Sequence, residues 1–171
     1  SIIMPQSYTA LRTRIDRFSA SIHARYTDKI ACAPGCTDCC DAGLTLVMIE
    51  AVVLGSALHI PEERILLQAG QPPLSEEGRC ALLGPDNLCS VYASRPLICR
   101  THGLPLKYPE QDGFTVCELN FVSEKPHSSA VLDMNTVETA LFAVNLDYCR
   151  RKGLNPLARV AMDRLAFLKS E

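Results

Sequence analysis

Cys32-Ala33-Pro34-Gly35-Cys36-Thr37-Asp38-Cys39-Cys40 places four thiols within nine residues. Pro34 and Gly35 separate the first two and dictate a tight turn. Such a turn lets several sulfurs point at one centre. Thiolates are soft anionic ligands, and converging thiolates repel one another unless a cation sits between them. The stretch therefore predicts a metal centre, with the rest of the chain folded to hold it.

The bulk properties suit that reading. A chain of 171 residues, 47% hydrophobic and 21% charged, is long enough for one domain with a sizeable core. The expectation is a single metal-binding domain over residues 1–171. Its Cys-rich core covers about 30–120 and packs on helices over 6–30 and 135–169. A net charge of −2 and the absence of Trp argue against a nucleic-acid partner. The longest apolar run, Leu44 to Leu58, is interrupted by Glu50 and Gly55, too short to span a membrane. No secretory signal is visible, and the expected location is cytoplasmic. Nine cysteines raise disulfides as a competing explanation. The odd count, the adjacency of Cys39 and Cys40 and the length of the chain favour metal instead.

Working outward, residues 6–30 read as an amphipathic helix with Leu11, Ile15, Phe18, Ile22 and Tyr26 on one face and Ser7 as its cap. Thr45 is the expected N-cap of a buried helix over 46–58, on which Glu50 takes an exposed edge position or, as the lesser alternative, partners the cluster from behind its ligands. A short helix from Pro61 closes at Gly70. Residues 71–79 form an aperiodic loop, the natural boundary between sub-parts. Cys80 and Cys89 then fall on the two arms of a small hairpin turning at Gly84-Pro85-Asp86-Asn87. Pro96 opens a single helical turn through Cys99. A second hairpin pairs 104–108 with 114–117 and ends at Cys117. Val137, Leu141, Val144 and Tyr148 mark the core face of a helix over 135–152, ended by Gly153. A last helix starts at Asn155-Pro156 with Leu157, Val160, Ala161, Leu165 and Leu168 inward. The fold class is mainly α with small irregular β hairpins, the helices flanking a Cys-rich metal-binding centre.

Cys149 stands apart on a helical core face and reads as a buried core residue. Eight thiols remain: Cys32, Cys36, Cys39 and Cys40, then Cys80, Cys89, Cys99 and Cys117. They suffice for two four-coordinate sites, or for one cluster with thiols to spare. The motifs Cys36-x2-Cys39-Cys40, Cys80-Ala-Leu-Leu, Cys89-Ser-Val-Tyr92 and Arg95-Pro96-x2-Cys99-Arg100 resemble the CxxCxxCC family over about residues 30–120. Members of that family are described as zinc- or iron-chelating domains. The first spacing here, Cys32-x3-Cys36, is one residue longer than the family's. The chain is also similar to the cysteine domain of flagellin lysine N-methylases, for which the resemblance implies an iron–sulfur cluster. No Gly-rich nucleotide loop follows a strand, so methylase chemistry is not carried over.

Zinc and iron–sulfur clusters both accept four thiolates. One clear C-x2-C pair, a second group spread at intervals of eight and nine residues, and no obligatory His favour a cluster, [4Fe–4S] being the form expected. Structural zinc is the alternative. His102 is a ligand near Cys99, a hydrogen-bonding partner beside the cofactor, or a surface histidine. Arg100 either donates to a cysteine sulfur at the cofactor or pairs with a carboxylate such as Glu118. Arg95 and Tyr92 brace their loop. The function expected is a redox or electron-transfer protein, or an accessory to an oxidoreductase, with a redox or protein partner. The alternative is a zinc module supporting partner binding or metal handling.

Overall fold

The computed structural model describes residues 6–37 and 39–170. Asp38 lies outside the described residues. Six α-helices occur among them: α1 (Gln6–Arg25), α2 (Met48–Ala57), α3 (Glu62–Leu66), α4 (Leu97–Thr101), α5 (Met134–Lys152) and α6 (Met162–Ser170). Two 3₁₀ turns, Tyr92–Ser94 and Ser128–Ala130, and four strands of two or three residues complete the regular structure: β1 (Thr45–Val47), β2 (Leu106–Lys107), β3 (Leu132–Asp133) and β4 (Arg159–Ala161). The fold is thus mainly α with small β elements. No helix among the described residues is long and apolar enough to cross a membrane.

Two compact units share the chain, one built from 34–96 and 144–170, the other from 6–33 and 97–143. The changes of unit fall at 33/34, 96/97 and 143/144. The aperiodic loop 71–79, expected as a boundary, lies wholly inside the first unit.

In the first unit, α2 is buried almost all round, with Ile49, Ala51 and Val52 wholly enclosed. Glu50 corrects the sequence reading: it is 5% exposed, not an edge residue. Thr45 is not the cap of α2, because β1 pairs antiparallel with β4 in the register Thr45↔Ala161, Leu46↔Val160 and Val47↔Arg159. The Arg159 guanidinium donates to Thr45 Oγ1 at 2.8 Å and to the Thr45 carbonyl at 2.7 Å. The free N–H of Ile49, at the start of α2, is met by Asn145 Oδ1 at 3.0 Å, and Asn145 Nδ2 donates to the Pro156 carbonyl. A buried amide on α5 thus does the capping work. The expected last helix from 155 divides: Val160 and Ala161 are buried on β4, α6 begins only at Met162, and Leu157 is 75% exposed.

In the second unit, α1 buries Tyr8, Leu11, Ile15 and Ile22. It ends at Arg25 rather than near 30, and Ser7 lies inside it. Beyond it, Tyr26 meets Phe121 edge-on at 4.9 Å. Leu106 pairs with Thr115 through two hydrogen bonds of 2.7 and 2.8 Å. Among the described residues this single bridge is what forms of the second hairpin, and β2 also pairs in parallel with β3.

Candidate metal centre

Five of the predicted ligands stand in the first unit: Cys36, Cys39, Cys40, Cys80 and Cys89. All are partly buried. Short backbone links gather them. The Cys40 N–H closes a turn on the Thr37 carbonyl at 2.9 Å, and the Cys80 N–H donates to the Cys40 carbonyl at 2.7 Å. Asp41 and Arg79 pair antiparallel, and Ala42 donates to Gly78 at 2.8 Å. The turn at 84–87 then returns the chain, with an antiparallel bridge between Leu83 and Cys89. Asn87 takes a φ of 61° there, and its side chain accepts from Arg79 at 2.8 Å. The first expected hairpin is therefore present as a turn with one bridge, and it carries Cys89 back beside Cys80.

The electrostatics follow from that gathering. Cys39 is pushed from its ordinary 9.0 up to about 11, by burial first and then by the charges of Cys40 and Cys36. Burial also raises Cys40, with Cys80, Cys89 and Cys36 adding to it. Cys80 is raised by burial, then by Cys89 and by the carboxylate of Asp163. Each ionised thiol is thus opposed by its neighbours, the condition that a cation relieves. Among the described residues no group of three or more His, Cys, Asp or Glu is arranged to hold a metal ion as it stands. The thiols share a neighbourhood rather than a finished coordination shell. In donor chemistry they fit zinc or iron, since both take thiolate sulfur.

Cys32, Cys99 and Cys117 stand in the second unit, with Asn120 as a hub. Asn120 is 3% exposed. Its Oδ1 accepts from the Ala31 N–H at 2.7 Å, while its Nδ2 donates to the Gly103 carbonyl at 2.7 Å and to Cys32 Sγ at 3.3 Å. Its backbone N–H donates to the Cys117 carbonyl at 2.9 Å. Gly103 has a φ of 91°, and a Cβ there would meet Cys32 Sγ at 2.8 Å, so the backbone is pressed against that sulfur. Cys99 lies on α4. His102 is exposed in the turn after α4. Arg100 pairs with a carboxylate, but with Asp16 on α1 at 2.8 Å rather than Glu118.

All nine cysteines are free thiols. Cys149 is fully buried in the first unit, its Sγ 3.6 Å from Asn145 Oδ1. Arg95 lies over the Tyr92 ring at 3.7 Å and donates to the Tyr92 carbonyl at 3.0 Å, so these two brace their loop.

Two residues at these thiols escape sequence reasoning. Asn120 left only a faint signal, a lone amide between Leu119 and Phe121. Asp163 left none, because an acid in the first turn of a helix reads as a partner for the helix dipole. Its Oδ2 accepts from the Ser75 N–H at 2.9 Å, but its buried Oδ1 has no hydrogen-bond partner.

Comparison with known proteins gives one match. The family model CxxCxxCC, described as "Putative zinc- or iron-chelating domain", matches residues 31–120. No curated protein and no solved structure matches the chain.

Proposed function

The chain belongs to the CxxCxxCC family of zinc- or iron-chelating domains, and from that premise we propose that it is an iron–sulfur protein with an electron-transfer role. The observation that carries this reading is the donor set of the first unit. Five thiols from two chain segments are gathered there, and the groups that oppose the ionisation of Cys39, Cys40 and Cys80 include their neighbouring thiols and no histidine. Four thiolates are what a cluster takes. When bound, the cluster supplies a reversible one-electron couple.

The residues of the chain do the rest. Cys36, Cys39 and Cys40 come from one loop, while Cys80 and Cys89 come from another, so the ligands approach from two sides. The Cys40–Cys80 backbone bond of 2.7 Å fixes the distance between those sides. Half-burial of the thiols limits water at the sulfurs. Cys32, Cys99 and Cys117 remain ligand candidates in their own unit, with Asn120 holding Cys32 by an N–H···S bond. A reducing compartment such as the cytoplasm keeps thiols of this number free, and the partner is another redox protein.

Anaerobic purification followed by absorption, iron and acid-labile sulfide measurements tests the proposal. Brown protein with iron and sulfide is the expected result. Colourless protein with stoichiometric zinc and no sulfide overturns it. That second outcome would make the chain a structural zinc module supporting partner binding or metal handling.

A further inference from the structure

Two segments of the first unit repeat one pattern: Arg64-x2-Leu67-Gln68 at the end of α3 and Arg164-x2-Phe167-Leu168 on α6. Residues three and four apart share a helical face, so each segment sets an arginine one turn before an apolar side chain. The core does not use these faces. Ile65 and Leu165 are wholly buried, whereas Leu67 and Phe167, two positions on, are 74% and 57% exposed. Leu67 keeps helical backbone just past α3, with φ −65° and ψ −18°. The two faces, together with Leu74 on the loop after α3, line one cleft of about 340 Å³. Exposed apolar side chains gathered in this way mark a contact surface, which singly scattered ones do not. The polar lining is one-signed: Arg64, Arg164 and the neutral Gln68, and among the described residues no acid and no thiol lines the cleft. Arg164 Nε donates to the Pro72 carbonyl, which fixes the guanidinium plane, and among the described residues its two Nη groups have no partner. A planar fork held this way suits a carboxylate.

We propose that this cleft docks an acidic amphipathic helix of a partner protein, with apolar side chains seated among Leu67, Leu74 and Phe167 and a carboxylate on the Arg164 fork. Charge complementarity selects that occupant. A second copy of the chain, meeting this face by two-fold symmetry, would set Arg64 and Arg164 against their own equivalents. A small ligand is buried over roughly 70–90% of its surface in its pocket, and Leu67, Leu74 and Phe167, each more than half exposed, cannot enclose one that far. A bilayer takes up apolar side chains that protrude, and these line a hollow. A helix with apolar anchors at three- and four-residue spacing fills a groove of this kind, and glutamates beside the anchors meet the two guanidiniums. The proposal stands independently of the metal reading.

The test uses the full chain as purified and a fluorescein-labelled, end-blocked peptide with Leu, Leu and Phe on one helical face and Glu on either side of them, read by fluorescence anisotropy. Saturable binding is expected, weakened at least about fivefold by Leu67→Asp and by Arg164→Gln. The same peptide with Lys in place of each Glu is expected to bind at least about tenfold more weakly. Leu67→Asp changes an exposed side chain and is expected to melt with the parent, so it decides the matter even where Arg164→Gln, which gives up the Pro72 bond, loosens its loop. Failure of the acidic peptide to bind overturns the proposal. Equal binding of the lysine peptide overturns it too, by leaving an apolar patch alone, and so does binding that both variants keep, by putting the peptide elsewhere. Uptake by vesicles of phosphatidylglycerol and phosphatidylcholine without binding of the peptide would make the cleft a membrane face. A dimer in sedimentation that Leu67→Asp dissolves would make it a contact between copies. Either result overturns the proposal as well.

Discussion

Cys39 carries a measurable consequence of thiol crowding. Its pKa in the folded chain is about 11, against 9.0 ordinarily, because burial and the Cys40 and Cys36 charges oppose its ionisation. Below about pH 9 the thiol is protonated whether the chain is folded or not, and the shift has no effect on stability. Above that the unfolded chain releases the proton while the folded chain keeps it, so the folded form loses ground until pH 11. Cys40 and Cys80 shift in the same direction. The melting temperature of the metal-free, reduced protein is expected to fall as pH rises from 9 to 11, and to fall less in Cys39→Ser. A flat profile across that window would show that the thiols are not crowded. The metal-loaded protein follows the opposite rule. Its ligands must be deprotonated, so its stability declines as pH is lowered and protons compete with the metal.

At the scale of elements, Gly55 decides how closely α2 and α3 approach. A Cβ at this position would lie 2.3 Å from Ile65 Cδ1 and 2.7 Å from its Cγ1. Alanine would gain about 1 kcal/mol of helix propensity over glycine. Against that, overpacking in a close-packed core costs about 1–3 kcal/mol. Ile65 is fully buried and has nowhere to turn, so overpacking wins. Gly55→Ala is expected to destabilise by about 1–2 kcal/mol in urea unfolding, and adding Ile65→Val, which deletes the clashing Cδ1, to recover part of that. A stabilised Gly55→Ala would show a looser contact. The helices themselves were legible because α1 and α5 bury faces at a period of 3.6 residues and α2 is a nearly unbroken apolar run. The strands were not. β1 and β4 have three residues each, too few for alternation to register, and they meet across 114 positions, as the Thr45–Arg159 bond does. The α2 cap was hidden for the same reason, since Asn145 reaches Ile49 from 96 positions away. The centre divides likewise. Its thiols announced themselves by density, and Cys149 by its isolation on a core face. Asn120 and Asp163 belong to the picture only through what folding brings beside them.

At the scale of the whole molecule, the thiols of the first unit sit where regular structure is thinnest. No helix or strand lies between Arg25 and Thr45, or between Leu66 and the 3₁₀ turn at Tyr92, among the described residues. These two stretches carry Cys36, Cys39, Cys40, Cys80 and Cys89. What joins them is one bridge at Asp41–Arg79, made by the backbone bonds of Ala42 to Gly78 and of Cys80 to Cys40. Such links open easily by themselves, because each isolated bond carries little net stability and few buried apolar contacts support it. The α2 region of the same unit is different, being buried from Met48 to Gly55 and apolar there apart from Glu50. If the thiols hold a metal, its binding energy acts as folding energy for the stretches it ties together. Hydrogen exchange on the protein as purified, and again after stripping by a chelator, separates these regions. Stripping is expected to speed exchange at the Cys40, Ala42, Cys80, Gly84 and Ser90 amides by at least about tenfold while leaving the α2 amides near their original rates. Cys80→Ser should reproduce that pattern without chelator. Cys149→Ser should not, because this thiol is enclosed beside Asn145 and its loss disturbs packing alone. Equal protection before and after stripping would mean that the loops stand without metal, and uniform loss through α2 would mean that the metal supports the entire first unit rather than its two cysteine stretches.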